Sequence, residues 1–220
     1  GNKGVTIQGV TRNGAFWATR TLLQLAENHN NQIPCGLVTD FPDYPTRGFM
    51  IDVARKFFTI DYLRDYVKIL SYYKMNELHV HLNDNGFKSY YEDDWSKTYA
   101  AFRLESDTYP GLAAKDGHYT KEEFRNLQLL GMQYGVNVIP EIDIPAHSLA
   151  FTRYMPELEA SAPYAKDHLD ILDDKKLPII YDFFDKLFDE YIKGDNPTFI
   201  GTDVHVGTDE FIKEGAGRNV

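Results

Sequence analysis

The chain has 220 residues, 43% of them hydrophobic, and carries 33 acidic against 23 basic side chains for a formal net charge of -10 at neutral pH. That length supports one domain with a substantial core, or one domain plus a fragment. The charge, with no Lys/Arg cluster to offset it, excludes a phosphate-binding face for nucleic acid or anionic lipid and favours a neutral ligand. A single cysteine, Cys35, excludes an intrachain disulfide and a thiolate metal cluster. No apolar run is long enough to cross a bilayer, and the opening Gly1-Asn2-Lys3-Gly4 lacks the hydrophobic region of a signal peptide. The 15 Tyr and 14 Phe fill a core, and any that are exposed can stack on the apolar faces of sugars.

In chain order, residues 5–8 read as a strand and residues 15–28 as a helix carrying Phe16, Leu22, Leu23 and Leu25. Residues 1–40 are expected to be the end of a small α+β domain and its linker, with Pro34, Pro42 and Pro45 marking an extended crossing. From Phe49 onward short apolar strands alternate with amphipathic helices. A strand at 50–53 precedes a helix capped by Thr59, with Asp61 in its first turn and Leu63, Tyr66, Val67 and Leu70 on one face. A strand at 78–82 leads into a long polar and aromatic segment, 83–118. Thr120-Lys121-Glu122-Glu123 then forms a capping-box pattern for a helix with Phe124, Leu127, Leu130 and Tyr134 inward, ended by Gly135. After a strand at 136–144 and a variable stretch, Pro178 opens a helix striped by Ile180, Phe183, Phe184, Leu187, Phe188 and Tyr191, with Gly194 at its end. A last strand runs from Phe199 through Val206.

This alternation is that of an α/β fold with a parallel sheet and right-handed crossovers. No Gly-rich phosphate loop follows a strand, which disfavours nucleotide-binding versions. The expected architecture is the first half of a (β/α)8 TIM barrel, strands 1 to 4 within residues 41–220, and because a whole barrel takes ~250 residues the sequence reads as a piece of a longer one. Barrel chemistry gathers at the C-terminal ends of strands. The first strand ends at Asp52 and Arg55, the second at Asn83, Asp84 and Asn85, the third at Glu141, Asp143 and His147, and the fourth at Asp209 and Glu210.

Four ordered runs carry a resemblance: Arg47-Gly48-Phe49-Met50-Ile51-Asp52-Val53-Ala54-Arg55, Lys74-Met75-Asn76-Glu77-Leu78-His79-Val80-His81-Leu82-Asn83-Asp84, Pro140-Glu141-Ile142-Asp143-Ile144-Pro145-Ala146-His147 and His205-Val206-Gly207-Thr208-Asp209-Glu210. In them the chain resembles glycoside hydrolase family 20, the β-N-acetylhexosaminidases and lacto-N-biosidases. The resemblance implies retaining hydrolysis of terminal β-linked N-acetylhexosamine, in which the 2-acetamido oxygen of the sugar attacks the anomeric carbon, an exception to the usual two-carboxylate scheme. Adjacent residues of a strand face opposite ways, so Asp209 and Glu210 are expected to have distinct jobs. The resemblance makes Glu210 the acid and later the base, and gives Asp209 the orientation of the acetamido group. It makes Asp84 and His147 a relay toward Glu210, Arg55 a grip on sugar hydroxyls and Asp143 a supporting residue.

The resemblance implies no cofactor, N-acetylhexosamine-containing glycans as partners, and a secreted, extracellular or cell-surface setting. Phe102-Arg103-Leu104-Glu105-Ser106 is similar to bacterial enzymes acting on host-glycan or milk-type oligosaccharides. Two positions depart from the family pattern: Ala146 stands where many relatives have Gly, and Asn85-Gly86-Phe87 replaces a frequent Asp-Gln-Gly-Trp run. The tyrosine, tryptophans and acid that the family places on later strands have no counterparts here, Trp17 and Trp95 not being at those positions, so the isolated chain is expected to be inactive or nearly so. Competing expectations are a metal-dependent hydrolase built on His79, His81, His147, His205 and Asp209, a non-catalytic glycan-binding module, and last a nucleotide-binding domain. Within the family, a disaccharide-releasing lacto-N-biosidase is the runner-up.

Overall fold

The structure, a computed structural model, describes residues 4–213. Residues 1–3 and 214–220, and with them the outer ends of the two expected domain spans, lie outside it. In chain order it contains α1 (Arg12–Asn28), β1 (Gly48–Asp52), α2 (Ile60–Tyr72), β2 (Glu77–His81), β3 (Asn83–Asn85), β4 (Ala100–Phe102), α3 (Lys121–Gln133), β5 (Asn137–Glu141), α4 (Leu149–Tyr154) and α5 (Leu177–Ile192).

β1, β2 and β5 form a parallel sheet in that order, with Asp52 opposite His81 and His81 opposite Glu141. The polar strand ends therefore line up along one edge. Alternation along β2 sends Leu78 and Val80 into the core with Leu63 and Val67 of α2 and Phe124 and Leu127 of α3. His79 and His81 fall on the opposite, inner face, where Glu141 of β5 meets them. The helices start as their sequences dictate: Thr59 caps α2 by accepting from Tyr62 N, and Thr120 and Glu123 make the reciprocal capping box of α3. Gly135 and Gly194 take the positive φ that follows a helix end.

Two expected strands are corrected. Residues 5–8 belong to no helix and, among the described residues, to no sheet. The expected fourth barrel strand, 199–206, is reduced to one parallel bridge, Glu141 with His205, made by His205 N to Pro140 O (2.9 Å) and Ile142 N to His205 O (3.1 Å). Short polar side chains within this run form other bonds: Thr202 donates to Asp203, and Asp203 accepts from Asn137. The parallel direction of the barrel persists in that single bridge.

Between β2 and α3 lies a segment that the sequence left undivided. β3 and β4 pair antiparallel, Asp84 opposite Ala101, so the chain turns back over the sheet edge. Arg103 then enters the interior with no exposed surface and donates to Val53 O (2.9 Å), Ala54 O (2.8 Å), Gly117 O (2.7 Å) and Asp116 Oδ1 (2.7 Å). It joins the turn after β1 to the loop that closes near residue 117. Glu190 of α5 anchors the same loop from below, accepting from Ser106 Oγ (2.7 Å), Asp107 N (2.7 Å) and Thr108 N (3.0 Å). α1 docks on the turn between α2 and β2, where Gln24 donates to Tyr72 O (2.7 Å) and Tyr72 hydroxyl bonds Glu27.

Candidate active site

The turn leaving β1 presents the first functional side chain. Asp52 Oδ1 accepts from Ala54 N and Arg55 N (both 2.9 Å), so the carboxylate shapes the turn that carries Arg55. The guanidinium of Arg55 reaches Asp52 Oδ2 (3.0 Å), Asp84 Oδ2 (2.8 Å) and Asn85 O (3.1 Å). Pairing with Asp52 is therefore one of three polar contacts of the guanidinium, and Asp84 ties Arg55 to the interior.

Asp84 is the hub. It is buried, and its oxygens accept from His147 Nδ1 (2.9 Å), His81 Nε2 (2.7 Å), Asn85 N (2.7 Å) and Arg55. Burial by itself raises its pKa, but the bonds from His147 and His81 and the charge of Arg55 outweigh that and hold it at about 2. His81 sits between two acids, with Nδ1 2.6 Å from Glu141 and Nε2 2.7 Å from Asp84. Burial disfavours its charge, yet the two carboxylates push its pKa up to about 10. Glu141 is held well below the usual carboxylate range against its burial, by His79 and His81, and its other oxygen meets His205 Nδ1 at 2.8 Å. The inner face of β2 and β5 is thus a compensated ionic layer beneath the site.

His147 follows β5 with a positive φ of 55°. Asn83 fixes this segment by donating to Asp143 O (2.8 Å) and His147 O (3.0 Å) and accepting from Asp143 N (2.8 Å). With Nδ1 given to Asp84, Nε2 of His147 faces the last motif, 3.4 Å from Glu210 Oε2 and 3.9 Å from Asp209 Oδ2. Burial lowers the pKa of His147, but the Asp84 hydrogen bond and surrounding carboxylates raise it overall. An unbroken path therefore runs from Arg55 through Asp84 and His147 to Glu210. All of these residues lie at or beyond the C-terminal ends of β1, β2 and β5.

The expectation that Asp209 and Glu210 face opposite ways is corrected: both approach the same nitrogen of His147. The reason is that this run is not a strand. Thr208 and Glu210 take φ values of 72° and 52°, and these left-handed turns break the alternation that a strand would impose. Asp143 lies beneath the pair, buried, with Oδ1 lacking a hydrogen-bond partner and Oδ2 4.0 Å from His147 Nε2. Its pKa is pushed up to about 7, by burial first, with His147 opposing and Asp209 adding to the rise. Gly207 makes room for it: a Cβ there would lie 1.8 Å from Asp143 Oδ1.

Sequence reasoning located Arg55, Asp84, Asp143, His147, Asp209 and Glu210, and the fold brings all six together. It named Asn83 and Glu141 only as polar strand ends, and His81 only as a metal ligand in the competing hydrolase reading, on the alternation that puts His79 and His81 on one strand face. Among the described residues, four groupings have ligand-type atoms within 4.8 Å of one another, namely His79, Glu141 and His205; Asp52, His81 and Asp84; His81, Glu141 and Asp143; and Asp143, His147 and Asp209. In the two that contain His81, both ring nitrogens already meet a carboxylate, Nδ1 that of Glu141 at 2.6 Å and Nε2 that of Asp84 at 2.7 Å. Phe87, in the departing Asn85-Gly86-Phe87 run, lies against Arg55, its ring 5.7 Å from the guanidinium carbon.

Residues 44–218 match the glycosyl hydrolase family 20 catalytic domain, and residues 1–41 match domain 2 of the same family. A β-hexosaminidase of Akkermansia muciniphila is 33% identical over 211 residues, 90% of this chain and 41% of that protein. β-Hexosaminidase subunit A1 of Dictyostelium discoideum is 32% identical, over 90% of this chain and 36% of its own length. The solved structure of a mutant Streptomyces plicatus β-hexosaminidase in complex with product (GlcNAc) superposes with a TM-score of 0.64 at 26% identity, covering 90% of this chain and 41% of that one. The chain thus spans less than half the length of the curated relatives named here. Matched through its catalytic-domain residues, and folded with its polar strand ends on one rim, the chain belongs to glycosyl hydrolase family 20.

Proposed function

We propose that the protein carrying this sequence is a retaining glycosidase that removes terminal β-linked N-acetylhexosamine, using the substrate's own acetamido group as nucleophile. The observation that supports this best is the path Arg55–Asp84–His147–Glu210, with steps of 2.8, 2.9 and 3.4 Å. Glu210 protonates the leaving oxygen. Its nascent carboxylate then faces a His147 ring whose positive charge Asp84 stabilises from the far side, so charge separation is met by a fixed partner rather than by water. In the second step the same carboxylate takes a proton from the attacking water. Asp209, on the same side of His147, orients the acetamido group and balances the charge that develops at its nitrogen. Arg55, held by Asp52 and Asp84, binds sugar hydroxyls, and Asp143 supports the floor between them. The glycan partners and an extracellular or cell-surface setting belong to this proposal.

The test is hydrolysis of a chromogenic β-N-acetylglucosaminide and a lacto-N-bioside by the full-length protein, alongside Glu210→Gln and Asp209→Asn. Glu210→Gln removes the acid of the first step and the base of the second, each worth about 10²–10⁴ in rate, so kcat on either substrate should collapse, and it should fall steeply in Asp209→Asn. Preference for the lacto-N-bioside would make the enzyme a disaccharide-releasing one. Binding of N-acetylglucosamine oligosaccharides with no turnover would replace the proposal by a glycan-binding role.

A further inference from the structure

The segment that carries Glu210 has almost no strand pairing to hold it, since the fourth barrel strand is reduced to the bridge at His205. Before Glu210 the segment is tied to the stretch after β5, where Thr208 N donates to Ile144 O (2.9 Å); from Glu210 onward what lies against it is the loop between α4 and α5. Tyr164 stacks on Phe211 with centroids 4.7 Å apart and pairs with Lys213 in an isolated bridge. His168, also against Phe211 at 5.4 Å, places Nε2 3.1 Å from Glu210 O and 3.3 Å from Ile212 N.

The backbone around His168 is bonded in turn to the His147 segment: Ser148 N donates to Asp167 O (2.8 Å) and Leu169 N donates to Pro145 O (2.7 Å). From the other side, Asp167 accepts from His168 Nδ1 (2.7 Å) and from Asn85 Nδ2 (3.1 Å). His168 is buried, and its ring bridges the two segments that must meet for His147 to face Glu210.

On this geometry, and resting on the reading of Glu210 as the general acid, we infer that His168 is a positioning residue for Glu210, oriented by Asp167 and Asn85. With Nδ1–H given to Asp167, Nε2 of a neutral ring accepts from Ile212 N, and in a protonated ring Nε2–H donates to Glu210 O. Either state holds backbone within two residues of the acid. The departure at Asn85 has a place in the same arrangement: its amide donates to Asp167, where an aspartate would set two carboxylates face to face.

Misplacing a general acid has a signature that general loosening lacks. A substrate with a good leaving group, such as a dinitrophenyl glycoside, needs little protonation, whereas an unactivated disaccharide needs it fully. The experiment compares kcat/KM, which reports the bond-breaking step, on these two N-acetylglucosaminides for the full-length wild type, Glu210→Gln, His168→Phe and His168→Gln. A misplacement near 1 Å costs up to ~10²-fold. His168→Phe should therefore lose roughly 10–100-fold on the disaccharide and under about threefold on the dinitrophenyl substrate, with His168→Gln recovering part of the loss.

Equal losses on both substrates, or no loss, would overturn the inference while leaving the assignment of Glu210 intact. Failure of Glu210→Gln to show the selective loss would instead remove the reading on which it rests. Should His168→Phe be recovered unfolded, Asp167→Asn, which keeps the volume and removes the orienting charge, carries the same comparison: a selective loss supports the inference and an unselective one ends it.

Discussion

Replacing Asp143 by Asn should change how stability depends on pH, and the structure sets the size of the change. The residue is 2% exposed, and burial raises its pKa from 3.8 to about 7. Between those values the unfolded chain has released the proton while the native state still holds it, so stability falls as pH rises. The contribution is fully present below 3.8 and gone once pH passes about 7, and a shift of that size corresponds to roughly 4 kcal/mol. Asn cannot titrate. The difference in unfolding free energy, variant minus wild type, should therefore climb by up to about 4 kcal/mol between pH 4 and pH 7 and level off above. A pH-independent offset of about 1–3 kcal/mol against the variant is expected as well, because its buried amide gains polar atoms without assured partners. Urea unfolding at half-unit steps from pH 4 to 8.5 measures the climb separately from the offset. A flat difference, or a wild type that gains on the variant as pH rises, would show that Asp143 is ionised in the native state and that the reasoning from its burial is wrong.

Gly207→Ala puts a methyl group 1.8 Å from Asp143 Oδ1, inside a buried contact, and should cost about 1–3 kcal/mol while displacing the run that carries Glu210; an unchanged urea midpoint would count against the close approach. Arg103→Met leaves the carbonyls of Val53 and Ala54 buried without donors and frees the turn that carries Arg55, so a loss of about 3 kcal/mol is expected. In the full-length protein, on the proposed activity, the same variant should raise KM more than it lowers kcat, and steady-state kinetics with the chromogenic substrate would reveal the opposite pattern if Arg55 is held independently.

Local chemistry was legible in the sequence wherever it is decided within a few residues. The caps at Thr59 and Thr120, the apolar stripe of α5 and the alternation of β2 follow from side-chain type and spacing, and the structure keeps them. Candidate residues were legible for the same reason, since strand ends in a parallel sheet share an edge. Tertiary structure decided which of them meet. Asp84 becomes the hub only because β3 turns back over the sheet, and Arg103 is interior only because the turn after β1, far earlier in the chain, supplies the carbonyls of Val53 and Ala54 and the following loop supplies Gly117 O and Asp116 for its donors. The run at 199–206 shows the limit from the other direction. Its β-branched and aromatic residues favour a strand, but a strand is made by its neighbours' backbone groups, and here only His205 is paired. Beyond it, the turns at Thr208 and Glu210 set both carboxylates on one side of His147, an arrangement no two-residue period could announce, because it depends on backbone angles that long-range contacts hold in place.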